Sequence, residues 1–212
     1  MWEQPKSFVQ GMVYIVEDDL SFCRSLQCLL HALGFKTDAF GNAQTFLQKP
    51  NIERPACLLL DVNLPDMDGL RLQQALNDLG RMVPIIFMTG YGTIPLSVRA
   101  MKQGAFDFLP KPLDAEELQR AICRALESDL LSWNEEVQKE RARSLLGTLT
   151  SREREVLRWI ITGRLNKQIA FTMGITEKTI KVHRGRVFQK TGVSSVADLV
   201  RLAEKVGITP AE

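Results

Sequence analysis

The chain is poor in the features that would assign it to a specialised class outright. Among its 212 residues no apolar run approaches the roughly 18 needed to cross a bilayer; the best are Ala56-Cys57-Leu58-Leu59-Leu60 and Ile85-Ile86-Phe87-Met88. No membrane partner is expected. Glu3, Gln4 and Lys6 precede a short apolar stretch that ends in Glu17-Asp18-Asp19, which is not a secretory signal, so a cytoplasmic protein is expected. Cysteine is scarce. Cys23, Cys28, Cys57 and Cys123 show no C-x-x-C spacing and sit in apolar runs, which predicts reduced core thiols in place of a metal site or disulfides. No internal repeat occurs. A large excess of charge of one sign is missing too, since 27 Lys/Arg against 25 Asp/Glu leave only +2. Fractions of 45% apolar and 25% charged residues exclude a disordered chain, a collagen-like fibre and a disulfide scaffold.

The charge that is there is unevenly spread. Residues 1–126 hold 12 Lys/Arg against 14 Asp/Glu, a net of −2, and residues 127–212 hold 15 against 11, a net of +4. The window 141–190 holds 12 against 3, a net of +9. Such asymmetry points to an acidic regulatory or catalytic half joined to a nucleic-acid-binding half.

The first 126 residues alternate short apolar runs with amphipathic helical patterns. Strands are predicted at Met12–Val16, near Phe35–Phe40, and at Ala56–Leu60, Val83–Met88 and Phe106–Leu109. Unalternating apolar runs suit a sheet covered on both faces. Between them, Phe22, Leu26, Leu29, Leu30 and Leu33 mark one helical face, and further helices are expected near Ala43–Gln48, Leu70–Leu79 and Pro95–Gln103. The last, from Asp114, turns Leu118, Ala121, Ile122 and Ala125 inward. Strands alternating with helices predict an α/β fold with a doubly wound, five-stranded parallel sheet of flavodoxin-like order. Residues 127–147 read as a helical continuation followed by a looser linker, and 148–207 as a small all-α domain. There Thr150 and Glu153 have capping-box spacing, Thr176 is a further N-cap, and Gly174 and Gly192 are turn positions.

In an open α/β sheet the functional crevice lies beyond the carboxyl ends of the strands. Glu17 and Asp18 after strand one, Asp61 after strand three, Thr89 after strand four and Lys111 after strand five can converge there. Clustered carboxylates repel one another unless a cation is present, and hard oxygen donors suit Mg²⁺. Thr89 and Lys111 suit a tetrahedral oxyanion. Asp19 and Asp66 are expected only to cap or turn the chain.

Val16-Glu17-Asp18-Asp19, Leu60-Asp61-Val62-Asn63-Leu64-Pro65-Asp66-Met67-Asp68-Gly69, Met88-Thr89-Gly90 and Phe108-Leu109-Pro110-Lys111-Pro112 resemble the motifs of two-component receiver domains, over residues 11–126. The resemblance implies that Asp61 accepts a phosphoryl group from a sensor histidine kinase. It implies that Glu17, Asp18, Asp61 and the backbone carbonyl of Asn63 hold Mg²⁺, and that Thr89 and Lys111 bind the phosphoryl oxygens. Phe108 would be the aromatic that moves inward on activation, and Lys111-Pro112 would be cis. Beyond self-catalysed phosphoryl acceptance and slow autodephosphorylation, no enzyme is expected. A phosphatase using Asp61 as nucleophile would want a second Asp two residues on, where this chain has Asn63.

The second half shows a helix-turn-helix pattern in Asn166-Lys167-Gln168-Ile169-Ala170, Met173-Gly174-Ile175 and Thr176–Arg184. Ile180, His183, Val187 and Phe188 share one face of the third helix, leaving a basic outer stripe that suits a DNA groove. Residues 148–207 resemble the LuxR-type output domain of the FixJ/NarL subfamily, and Phe87-Met88-Thr89-Gly90-Tyr91-Gly92 is similar to FixJ-like members. Candidate DNA contacts are Lys167, Thr176, Thr179, Lys181, Val182, His183, Arg184, Arg186 and Lys190. Gly185 stands where some members carry a base-contacting Lys. The reading is a phosphorylation-controlled transcriptional activator that dimerises when phosphorylated, with promoter DNA and RNA polymerase as further partners.

Overall fold

The computed structural model describes residues 9–90 and 94–211, with the side chain of Ile94 excepted. Tyr91 and Gly92, like Glu3, Gln4 and Lys6, lie outside the described residues. The chain divides into two compact units between Trp133 and Asn134.

The first unit is built on strands β1 (Met12–Val16), β2 (Lys36–Phe40), β3 (Ala56–Asp61), β4 (Ile85–Thr89) and β5 (Asp107–Pro110). They form one sheet in the order β2-β1-β3-β4-β5 with parallel pairing throughout. Helices α1 (Leu20–Ala32), α2 (Ala43–Leu47), α3 (Gly69–Asp78), α4 (Ile94–Lys102) and α5 (from Ala115) connect and cover it. Alternate residues of each strand feed opposite faces. Val13, Ile15, Cys57, Leu59, Ile86 and Met88 pack against Leu26 and Leu30 of α1 and Leu118, Ala121 and Ile122 of α5. Tyr14, Val16, Leu58, Leu60 and Phe87 pack against Phe46 of α2, Leu72 and Leu76 of α3 and Ala100 of α4. Both faces are therefore covered, as the continuous apolar runs required.

The register Val16↔Leu60 sets Glu17 and Asp61 side by side at the carboxyl edge of the two central strands. The loop after β3 folds tightly onto this edge. A Cβ at Gly69 would lie 2.6 Å from the Asp61 carbonyl oxygen and 3.2 Å from the Phe87 ring, so no other residue fits without displacing backbone. Asp19 caps α1 by accepting from the N–H groups of Ser21 and Phe22, and Asp68 caps α3 through Leu70 N–H. Asp66 acts at longer range: it accepts from the N–H groups of Ala43 and Gln44 at the start of α2, which hold its carboxyl below the usual range.

Two expectations need correction. The looser linker is absent, because α5 runs unbroken over Ala115–Gly147. Glu, Lys and Arg are good helix formers, and Glu136 and Glu140 pair with Arg143 on the helix surface. The cysteines are not all core thiols: Cys23 and Cys57 are buried, but Cys28 is exposed and Cys123 half-buried. Cys28 lies two residues from the buried Leu26 and Leu30, which turns it to the opposite side of α1. Ile180 and Val187 are fully inside on the packed face of the third helix, with Phe188 packed half-buried against the same core and His183 half-buried beside them.

A polar clasp at the amino edge of the sheet had no counterpart in the sequence reading. Arg54 pairs with the buried Asp129 of α5 and also donates to the Met82 carbonyl, and Asp129 accepts from Ala56 N–H at 2.7 Å. Burial pushes the Asp129 carboxyl up, against the pull of Ala56 N–H and Arg54. The Arg54 guanidinium lies 5.6 Å from the Trp133 ring centroid. Arg54-Pro55 and Lys111-Pro112 are both cis, the second as expected.

The second unit packs α6 (Ser151–Ile160), α7 (Asn166–Met173), α8 (Glu177–Thr191) and α9 (Val196–Glu204) around Val156, Leu157, Ile160, Ile169, Ile180, Val187 and Leu199. Thr150 and Glu153 form the capping box at the start of α6. Gly174 and Gly192 adopt left-handed conformations, φ 63° and 68°, that end α7 and α8.

Candidate functional site

The acidic site sits where β1, β3 and β5 end. Lys111 extends its ammonium between two buried carboxylates, donating to Glu17 Oε2 at 2.6 Å and to Asp61 Oδ1 at 2.7 Å. Asp61 Oδ2 accepts from Asn63 N–H at 2.8 Å, which fixes the carboxylate plane. Asp18 is exposed, yet one oxygen from each of Glu17, Asp18 and Asp61 lies within 4.8 Å of the others. Burial pushes the Glu17 carboxyl up further than Lys111 draws it down. Burial works to lower Lys111, but its bonds to Asp61 and Glu17 outweigh this and hold it above its usual value. One ammonium thus serves two carboxylates, with a third carboxylate beside them.

Thr89, at the end of β4, is buried, and its carbonyl accepts from Lys111 N–H at 2.7 Å, which ties the β4 end to the β5 end. Phe108 is half-buried on β5, paired in register with Phe87, their ring centroids 6.3 Å apart. Phe22, read from the sequence only as part of the first helix's packed face, also belongs to the site. Its ring lies 4.3 Å from the Lys111 ammonium, a cation–π contact from the first turn of α1. The only signal for it was its position three residues after Asp19. Three hard carboxylate donors at this spacing, short of positive charge, fit a divalent cation that keeps part of its water shell.

The basic site is on the second unit. Thr176 caps α8, its hydroxyl accepting from Thr179 N–H at 3.2 Å and lying 2.8 Å from the Thr179 hydroxyl. Lys181, Val182, Gly185 and Arg186 are exposed along α8, with Lys181 within 3.4 Å of Glu177. Lys167, near the start of α7, is exposed as well. Arg184 is half-buried and donates to Asn166 Oδ1 at 3.3 Å, which joins α8 to the start of α7. His183 Nδ1 is buried with no protein hydrogen-bond partner.

Lys190 stands apart from this row. Its ammonium donates to Glu153 Oε2 at 2.6 Å and to the Thr148 carbonyl at 3.1 Å, joining α8 to the α6 capping box. Lys190 and the Thr150 N–H hold the Glu153 carboxyl down to about 2.

Both halves match known families. The model for the response regulator receiver domain matches residues 13–123, and that for bacterial regulatory proteins of the luxR family matches residues 147–203. The chain belongs to the two-component response regulators, with a receiver domain followed by a LuxR-type DNA-binding domain, and it is a transcription regulator by family. It is 42% identical over 200 residues to Nodulation protein W of Bradyrhizobium diazoefficiens, covering 94% of this chain and 88% of that one. The low-resolution structure of the response regulator StyR matches with a TM-score of 0.84 and 41% identity, over 92% of this chain and 99% of that one. Full-length FixJ from B. japonicum matches with a TM-score of 0.56 and 35% identity, over 93% and 98%. Among the described residues no helix is long and apolar enough to cross a membrane.

Proposed function

We propose that Asp61 is the phosphoacceptor and that its phosphorylation by a sensor histidine kinase controls the binding of promoter DNA by residues 148–207. The observation that carries this reading is Lys111, bonded to both Glu17 and Asp61 beside an acidic triad of metal-binding spacing. Glu17, Asp18, Asp61 and the Asn63 carbonyl would hold Mg²⁺, which when bound offsets the negative charge gathered by donor and acceptor. An Asp61 carboxylate oxygen forms a bond to phosphorus while the bond from phosphorus to the kinase histidine nitrogen breaks, and that nitrogen keeps the electron pair. Lys111 is already within bonding distance of the acceptor and stays to neutralise the phosphoryl oxygens.

The acyl phosphate carries nearly two negative charges at neutral pH. Thr89 supplies its hydroxyl to the new oxygens, and Phe108 moves into the space that Thr89 leaves behind. This remodels the surface of α4, β5 and α5, where a second copy pairs. The receiver spans 11–126, the helical linker 127–147 and the DNA-binding domain 148–207. Lys181, Val182 and Arg186 of α8 face the groove, while Lys167, Thr176, Thr179, His183 and Arg184 meet phosphates at its edge. Lys190 uses two of its three ammonium donors inside the protein, which leaves one for phosphate. The protein acts in the cytoplasm, as an activator that works with RNA polymerase, and slow autodephosphorylation resets it.

Sedimentation of the full chain with Mg²⁺, with and without an acetyl-phosphate donor, tests the switch. Dimer should form only with donor, and Thr89→Ala should weaken it. A tight dimer without donor, unchanged by Thr89→Ala, would refute the coupling.

A further inference from the structure

The second unit holds a glycine that neither its conformation nor its packing explains. Among the described residues, Gly185 of α8 is the only glycine inside a helix and away from its ends. Glycine is the weakest helix former after proline, so such a position needs a reason. Conformation does not supply one: the glycines with positive φ all lie at turns, and Gly185 is not among them. Packing does not supply one either. Gly69 is kept small by the backbone and ring atoms around it, but a Cβ added at Gly185 would meet nothing within 4 Å. Nothing in this chain forbids a side chain there. Its place on the helix narrows the choice. Ile180, Val187 and Thr191 make the buried face of α8. Lys178, Val182, Gly185 and Gln189 recur every three or four residues on the side away from it, and all four are exposed. Gly185 lies within that outward row.

We infer that Gly185 is a specificity-determining residue, whose missing side chain leaves a notch in α8 that seats the C5-methyl group of a thymine in the major groove. The inference rests on the reading of α8 as the helix that enters the groove. The backbone N–H and C=O of an interior helical residue are taken up by the helix ladder. Gly185 therefore offers a base edge no hydrogen bond, only space and a small apolar surface. Base edges in the major groove present donors, acceptors and one apolar projection, the thymine methyl. A donor or acceptor turned into the notch would be stripped of water and left unpaired, which disfavours binding. The methyl group loses no hydrogen bond there. Val182, three residues earlier in the same row and 47% exposed, supplies an apolar wall. An alanine side chain and a thymine methyl are each a single methyl group, so the notch can be filled from the protein or from the base but not from both.

The test compares the full chain with Gly185→Ala by fluorescence anisotropy. The probe is a duplex that the wild type selects from a random pool, used as selected and with each thymine replaced in turn by deoxyuridine, which lacks only the methyl group. Wild-type protein should lose about fourfold in affinity at one substituted position of a half-site, the contribution of one buried methyl group. Gly185→Ala should bind the selected duplex about tenfold more weakly, as an overfilled contact does. It should bind that deoxyuridine duplex more tightly than the selected one, which reverses the wild-type order. Random duplex should bind both proteins alike. Alanine also removes the helix penalty of glycine, so the melting transition of the second unit should rise by about 4–8 °C. A wild type indifferent to every deoxyuridine would overturn the proposal. So would a variant that keeps the wild-type order of the two duplexes, or one weakened equally on random DNA. A lowered melting transition would give Gly185 a role inside the fold and overturn it as well. All of these leave α8 as the groove-entering helix. A wild type that binds no duplex at all would instead sink that reading, and this inference with it.

Discussion

Replacing Asp61 by Asn tests the acidic site most sharply, because the geometry sets two outcomes in opposite directions. The amide is nearly isosteric but neutral. At an effective dielectric of about 20, the 2.7 Å contact with Lys111 contributes about 6 kcal/mol of Coulomb attraction to the parent. Opposing it, the Glu17 carboxylate within 4.8 Å contributes about 3 kcal/mol of repulsion on the same scale. Desolvating a carboxylate that is only 8% exposed costs several kcal/mol more. Attraction and cost thus close to within about 2 kcal/mol. Asp18 is exposed, and water screens it. The amide keeps one acceptor and turns the other into a donor, so Lys111 and Asn63 N–H can no longer both be served, which adds about 1–3 kcal/mol of destabilisation. Asp61→Asn should therefore lower the receiver melting transition by no more than roughly 10 °C. At the same time it should abolish Mg²⁺-dependent phosphate incorporation, read as intact mass after treatment with donor. Mg²⁺ at 100 times its dissociation constant should stabilise the parent by about 2.7 kcal/mol and the variant by less. A variant that still gains phosphate would mean that another group is the acceptor. A receiver that fails to fold would mean that the charges do not balance as the distances indicate.

Two further outcomes are expected. Lys181→Ala should cost about 1–3 kcal/mol on the selected duplex and little on random DNA, whereas Lys190→Ala should weaken all sequences alike and lower the salt slope by about 1; gel shifts at several salt concentrations decide, and preference surviving Lys181→Ala would mean that α8 is rotated in the groove. Arg54→Met strands Asp129 in the interior and should destabilise the receiver by about 3 kcal/mol, the low end for a broken buried pair because Arg54 is partly exposed. The Asp129 carboxyl is already raised in the fold, so the stability it contributes is complete below the ordinary carboxylate range and is lost as pH rises through the folded value. Without Arg54 that value rises further, so the deficit in calorimetry should be largest at neutral pH and shrink on acidification; a deficit independent of pH would refute the clasp.

What could be read from the sequence was whatever repeats locally. The run Met12–Val16 became β1 residue for residue, and Leu118, Ala121, Ile122 and Ala125 all turned inward, because helix and strand periods are carried by neighbours in the chain. The convergence of Glu17, Asp61 and Lys111 was legible because the sheet order follows from the βαβ alternation and the strand ends follow from the order. Long-range polar pairs have no period. Arg54 and Asp129 lie 75 residues apart, and Lys190 and Glu153 lie 37 apart. Nothing in the sequence joins the members of either pair: Glu153 reads as a capping-box residue and Lys190 as a candidate DNA contact, while Arg54 and Asp129 each read alone as a surface charge. Asp66 was legible as a cap or turn residue, but not that it serves α2, since a carboxylate in a turn gives no sign of which distant N–H groups it will meet.

Gly69 bears on how inactive alleles of such a protein should be interpreted. It has no functional group and is simply the first residue of α3. Yet any side chain there would press on the carbonyl of Asp61 and on Phe87 from beneath. In a screen for regulators blind to their kinase, position 69 should therefore recur beside position 61, with ordinary protein levels and a silent promoter. Such alleles would imitate a missing acceptor while the carboxylate was still present, displaced by a fraction of an ångström from the one place where it can be used.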